Sequence, residues 1–304
     1  MFLNMNERYT FIFLLGLIWG INFPLSKYIL LNFEPTELRY LSGIIGLIIT
    51  VISFFIFRFK FINLKELLFS SMIGLPAIAI VPALNVFSLS YLNSSTASVL
   101  IYTMPSFTSL FIFLLSDNKR NFILLFPAAL SISGIFFLTK FNTKFGFGEF
   151  IILISAIIWA ISGLITGKYK YLSSGTDKFL IQVFAASLAT ISIFMPLISH
   201  QEVIYKFRML SYFQIFSLIF VCGIASCLAF LFWNMLITNY GAESASYSTL
   251  LAPVLGVFIA IIFLHENYNI LTIISLLLIL LSIYIQQRVS SLNKSKYNCL
   301  NKAG

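Results

Sequence analysis

Apolar residues run along this chain in stretches of about twenty, separated by short clusters rich in charge, Asn, Gly and Pro. A helix that crosses a bilayer needs about 20 predominantly apolar residues. That yardstick predicts ten spans, at roughly 9–31, 36–57, 66–91, 94–115, 121–139, 149–169, 178–198, 212–236, 242–264 and 269–287. Some connectors are very short, such as 32–35 and 92–93, so tightly packed antiparallel neighbours are expected with little extramembrane structure. The first run is too long for a signal-peptide core and lacks a small-residue cleavage site, so it is expected to be a retained span.

The most informative stretch runs from Gly16 to Arg39. It carries Asn22, Ser26 and Lys27 inside an otherwise apolar run and leads into the second span through Pro35 and Arg39. At helical spacing Trp19, Asn22, Phe23, Ser26 and Lys27 share one side, at i, i+3, i+4, i+7 and i+8. An unsatisfied polar group in hydrocarbon costs several kcal/mol, so this face should look into protein or a watery cavity.

Composition agrees with lipid as the solvent. The 304 residues are 60% hydrophobic, 17% aromatic and only 10% charged, against about 25% charged in an average soluble domain. The formal charge of +9 sits in short connectors, where membrane topology explains it better than a nucleic-acid partner does. With the N-terminus inside, thirteen of the Lys and Arg residues fall on the inner side and six on the outer. That imbalance, and an even number of spans, place both termini in the cytoplasm. The sparse cysteines Cys222, Cys227 and Cys299 and the separated His200 and His265 form no disulfide framework or metal site, and no cofactor is implied. No H-E-x-x-H or G-x-S-x-G occurs.

The chain also repeats itself. Trp19-Gly20 is echoed by Trp159-Ala160, and the Gly16/Gly20 pair by Gly163/Gly167, a spacing that lets helices approach closely. Thr96-Ala97-Ser98 followed by Pro105 matches Ser244-Ala245-Ser246 followed by Pro253, with the same interval from Ala97 to Pro105 as from Ala245 to Pro253; Asn85 and Asn234 precede these blocks at similar distances. Two units of five spans must lie inverted in the bilayer, because five is odd. Inverted repeats belong to transporters whose site lies near the midplane at the repeat interface. The expected units are residues 1–140 and 141–288, followed by a short cytoplasmic tail, 289–304.

This pattern resembles the EamA family of the drug/metabolite transporter superfamily. The run W-G-I-N-F-P-L-S-K…E-P-T-E-L-R is similar to that family's opening. A-S-V-L-I-Y-T-M-P-S-F-T-S-L-F-I-F-L-L is similar to its fourth helix, and A-S-Y-S-T-L-L-A-P-V-L-G-V-F-I-A-I-I-F-L-H-E, with Pro253 and Glu266, to its ninth. The first repeat departs from the pattern in closing on Asp117-Asn118, and the sixth helix in reading W-A-I-S-G. The resemblance covers about 9–287. It implies an all-α, ten-helix inverted-repeat secondary transporter of amino acids or other small metabolites, mostly exporting, with a cavity shared by both halves.

Individual residues carry two readings each. Asn22 and Ser26 either hydrogen-bond a solute or glue helices together. Trp19 and Trp159, about ten residues into their spans, are too deep for an interfacial belt and are candidates to stack on a solute beside Phe23. Lys27 and Arg39 either attract a carboxylate or phosphate, or snorkel to the surface and pair with Glu34 or Glu37. Pro105 and Pro253 each remove a helix bond and are expected to bend matched helices for shaping or gating; Pro76 and Pro82 make the third span irregular. Asn85, Asn234, Tyr102 and Tyr247 could offer polar groups to a solute or pack as core. Glu266 is expected as a solvated or lysine-paired cap.

All ten acidic residues lie at span ends or in connectors. Proton coupling would therefore use an end-of-span acid or the solute's own charge, and facilitated diffusion is equally compatible. The sequence reads as a multi-pass transporter of the bacterial inner (plasma) membrane. Its aromatic, charge-poor cavity favours neutral, zwitterionic or partly apolar solutes over polyanions. An intramembrane enzyme acting on lipid-linked substrates would need acids, histidines or a nucleophile at membrane depth, and a mere helper subunit has no use for two inverted halves. Uptake instead of export, and the oligomeric state, stay open.

Overall fold

The computed structural model describes residues 5–56, 63–115, 122–142, 145–169, 175–240, 248–267 and 269–300, and every regular element among them is helical. The first half contributes α1 (Met5–Ile29), α2 (Pro35–Ile56), α3 (Leu64–Ser88), α4 (Ser94–Leu115) and α5 (Leu125–Asn142). The second contributes α6 (Phe147–Lys168), α7 (Thr176–Phe194), a short α8 (His200–Arg208), α9 (212–240), α10 (Ser248–Phe263) and α11 (Ile270–Leu300). Eight of these helices are long and apolar enough to cross a bilayer. At the fifth and ninth expected spans stand two shorter apolar helices, 125–138 and Ser248–Phe263; the expected start of the ninth lies outside the described residues. The helix expected to stop near 287 continues to Leu300, into the stretch assigned to a tail.

Local chemistry sets the helix ends. Asn63 caps α3 by accepting the Glu66 N–H at 2.8 Å, and the Gly146 N–H reaches the Glu149 carboxylate at 3.1 Å. Such side chains satisfy main-chain groups that the first turn leaves unpaired. The α8 helix was not foreseen in the connector after the seventh span. Its signal is the S-x-x-E of Ser199 and Glu202, where the serine hydroxyl accepts the Glu202 N–H.

Helix α1 lies along α10, α2 along α7, and α5 along α11. Helix α3 meets α6 and α7, α9 meets α1 and α2, and α4 meets α6 and α10. The α1–α10 seam depends on small residues. A Cβ placed on Gly20 would stand 2.7 Å from Leu255 Cβ and 3.0 Å from the Ala252 carbonyl oxygen, so only glycine lets these backbones come together. The echo at Gly163 is not such a seam, because nothing lies within 4 Å of a Cβ placed there. The spacing is shared, but the surface it faces is different.

Three spans depart from regular α-helix. In α3, Pro76–Ile80 forms a π-helical turn, and in α9 a longer one covers Phe220–Leu228. Helix α4 breaks at Tyr102-Thr103 before resuming at Met104. The break sits where Pro105 supplies no N–H to the Ile101 carbonyl; the Thr103 N–H and hydroxyl turn back to Leu100 instead, at 3.1 and 2.7 Å. Pro253 has no such effect, since α10 runs on through it. The expected pair of matched bends is thus seen in α4 and not in α10.

Candidate functional site

A cavity opens where α1, α2, α3, α4, α6 and α9 converge. It holds about 650 Å³ of space between atoms, open solvent included.

Helix periodicity brings Trp19, Asn22, Phe23 and Ser26 of α1 to this cavity. Asn85 and Pro82 of α3, Tyr102 of α4, Trp159 of α6 and Arg39 of α2 also face it. The π-helical turn of α9 adds Val221, Ala225 and Ser226, and the Ser226 hydroxyl donates to the Val221 carbonyl at 2.8 Å, a five-residue step that only the widened turn allows. The structure thus gathers, from five separate helices, eight residues that the sequence singled out as solute-facing or electrostatic.

Trp19 is also the hub of an aromatic cluster. Its ring lies 5.6 Å from Trp159 in an edge-to-face arrangement, 5.7 Å from Phe230 and 5.3 Å from Trp233. The chain's three tryptophans therefore meet at one place. Contacts of this kind add about 0.5–1.5 kcal/mol each beyond area burial. Trp233 and Phe230 carried no distinguishing sequence signal, since both sit in an apolar run whose facing direction depends on the π-turn before them.

The polar groups of the cavity are unevenly satisfied. The Asn85 side-chain oxygen accepts the Ser155 hydroxyl at 2.6 Å, which leaves its amide N–H groups for the cavity. The Asn22 side-chain oxygen is buried without a partner, and so is the Arg39 Nε. No carboxylate is among the residues lining the cavity. Among the described residues no group of three or more His, Cys, Asp or Glu is placed to hold a metal ion.

Other candidates stand elsewhere. Lys27 leaves the stripe it was expected to share: its ammonium donates to the main-chain carbonyls of Leu89 and, at 2.9 Å, of Leu92. It closes the end of α3, where unpaired carbonyls attract a cation, instead of facing the cavity, and the Glu266 carboxylate, not Glu34 or Glu37, is the acid that acts on it. Glu37, one of its expected partners, is buried and holds Lys206 of α8 at 2.7 Å through both oxygens. Glu266 is only partly solvated, and although its charge acts on Lys27, no lysine is among its hydrogen-bond partners in the described residues. Its carboxylate accepts the N–H and hydroxyl groups of both Ser94 and Ser95, which caps α4 from the far end of α10. Pro105 and Pro253 are buried but do not border the cavity. Tyr247 and the Asp117-Asn118 pair lie outside the described residues, as does the side chain of Asn234.

A cavity at the convergence of helices from both halves of a polytopic chain is what a solute carrier needs. The family model for the EamA-like transporter family matches this chain twice, over residues 8–140 and 146–286. The chain belongs to the EamA-like transporter family. As a member it is a multi-pass membrane protein of a transporter class, and the two matched stretches fall on either side of the α5–α6 junction. This EamA-like chain is 24% identical over 281 residues to "Uncharacterized transporter YoaV" of Bacillus subtilis (strain 168), which covers 88% of this chain and 92% of that protein. "Uncharacterized transporter YvbV" of the same organism is 25% identical over 295 residues, covering 92% of each. A solved crystal structure of another protein superposes with a TM-score of 0.63 at 15% identity, over 94% of this chain and 99% of that one, and shares its fold.

Proposed function

We propose that this protein is a secondary transporter that moves a small organic solute, an amino acid or similar metabolite, through the cavity around Trp19 by alternating access, in the export direction. In this reading residues 1–140 and 141–288 are two inverted five-helix repeats in the bacterial inner membrane, with both termini cytoplasmic. Supporting it, the most extensive helix pairings are kept when α1, α2, α3, α4 and α5 are exchanged for α6, α7, α9, α10 and α11, although α1–α4 and α4–α11 have no counterpart among the described residues. The α1–α10 pairing becomes α6–α4, α3–α7 becomes α9–α2, and α2–α7 maps onto itself. The two π-turns also fall in exchangeable helices, α3 and α9.

The observation that carries the reading is the cavity itself. Trp19, Asn22, Phe23, Ser26, Asn85, Tyr102 and Trp159 surround it with aromatic faces and a few polar groups, the mixture expected of a small-molecule site. Wide turns in α3 and α9 supply helices able to bend as the walls part, with the Trp19 cluster forming one end of the chamber.

Purified protein in liposomes, assayed with a metabolite panel with and without a pH gradient, tests the proposal. Trp19→Ala or Asn22→Ala should lose transport while inserting and folding normally. Unaltered transport in both variants removes these residues from the solute path. Accumulation against the export direction makes the protein an importer, and a rate insensitive to the gradient removes proton coupling.

A further inference from the structure

Arg39 is 4% exposed, its Nε lacks a hydrogen-bond partner, and no carboxylate reaches its guanidinium within 4.0 Å among the described residues. The nearest acid in sequence, Glu37, does not neutralise it. Two residues apart on a helix, the side chains point to different faces, and both Glu37 oxygens are held by Lys206 while one also accepts the Glu34 N–H. Arg39 also lines a second, smaller space between α2, α7 and α9, with Ser187 and Cys227 among its walls, and with Ser226 it forms the partition between that space and the main cavity. A buried charge without a counter-charge is strongly unfavourable, whereas an arginine is always ionised and carries five donors in a fork suited to a carboxylate.

Of the other groups facing the same chamber, the Asn22 side-chain oxygen is an acceptor without a partner among the described residues, and the rest offer donors or apolar surface. The Asn85 amide has its oxygen engaged and its N–H groups free. Trp19, Trp159 and Tyr102 supply aromatic walls, and among the described residues lining the chamber no acid is present to receive an ammonium group. The chamber therefore combines one positive charge with aromatic walls.

We propose that Arg39 is the counter-charge for the solute, and that the solute class is a small organic monocarboxylate with an aromatic or apolar body. A single guanidinium balances one negative charge, which disfavours phosphate esters and dicarboxylates. A zwitterion would bring an ammonium group that no carboxylate here can meet. The assignment rests on the transporter reading and departs from it on one point: among small organic solutes it selects monoanions and excludes zwitterionic amino acids.

The test uses detergent-purified full-length protein with phenylacetate as the probe and its neutral amide, phenylalanine and inorganic phosphate as comparisons. Phenylacetate should raise the melting temperature of the parent protein and the three others should not, because only a ligand that prefers the folded state stabilises it. Arg39→Met should melt no lower than the parent without ligand, since an unpaired buried charge has been replaced by an apolar chain of similar length, and should bind phenylacetate at least tenfold more weakly. Arg39→Lys should recover part of the binding. A structural arginine gives the opposite pattern: Arg39→Met melts lower and keeps the phenylacetate shift. Either half of that pattern overturns the proposal, as does stabilisation by the amide or phenylalanine equal to that by phenylacetate, or no phenylacetate shift in the parent protein. Liposome flux separates this from the wider reading. Transport of neutral solutes that survives Arg39→Met ends the monocarboxylate assignment and leaves a transporter; an Arg39-dependent phenylacetate shift without flux of any solute supports the anion site and ends the transporter reading.

Discussion

Replacing Glu266 gives a quantitative check on how the two halves are joined. Its Oε1 accepts the Ser94 N–H at 2.7 Å and the Ser94 hydroxyl at 2.9 Å; its Oε2 accepts the Ser95 N–H at 3.0 Å and the Ser95 hydroxyl at 2.6 Å. The two N–H groups are among those a helix start leaves unpaired, and the carboxylate sits at the positive end of the α4 dipole. In Glu266→Ala the serine hydroxyls rotate to other partners at little cost, but the amides lose a charged acceptor. Hydrogen bonds to charged groups contribute about 1.5–3 kcal/mol each and do not sum fully. With loss of the dipole interaction and a discount for partial exposure, about 3 kcal/mol is expected. That corresponds to roughly a hundredfold faster opening of the first turn of α4, because about 1.4 kcal/mol is a factor of ten. Glu266→Gln keeps one oxygen and loses the charge, so about a tenfold change is expected. Hydrogen exchange read by mass spectrometry on a peptide spanning 92–98 measures this directly. Exchange within about threefold of the parent in Glu266→Ala would refute the reasoning; equal effects of Ala and Gln would assign the clasp to charge alone.

Other substitutions probe separate joints. Gly20→Ala should lower thermal stability by about 1–3 kcal/mol through collision with Leu255 and the Ala252 carbonyl, while Gly163→Ala, with open space around it, should be neutral or stabilising by up to about 1 kcal/mol; paired melting curves in one detergent decide it. Lys206→Met should destabilise by about 3 kcal/mol because it strands the buried Glu37 carboxylate. Adding Glu37→Leu should recover most of that loss, and a double-mutant cycle that shows no coupling removes the bridge from the account. His265→Gly should stabilise by about 1 kcal/mol, since His265 holds φ 52°, a left-handed conformation costly for any residue with a Cβ; urea melts comparing it with His265→Ala isolate the backbone effect. Reporter fusions at Asn93 and at Asn118 should report opposite faces of the membrane.

Much of this protein can be read from residue order alone. A solvent of lipid forces long apolar helices, so the succession of spans follows from composition and length. Periodicity tells which residues share a face, and Trp19, Asn22, Phe23 and Ser26 do line one chamber. It does not tell what that face meets. Lys27 has the right spacing, yet the end of α3 passes close enough to claim its ammonium. Glu266 and Ser94 are separated by 172 positions, and no local pattern announces that one caps the other. Gly20 and Gly163 look alike in the chain; only the arrival of α10 makes the first indispensable. The isolation of Arg39 is likewise a tertiary fact, decided when Lys206 takes Glu37 and no other acid among the described residues comes within 4.0 Å. One-dimensional order sets the chemistry each helix presents, and the packing of distant helices determines which of those groups find partners and which are left facing the cavity.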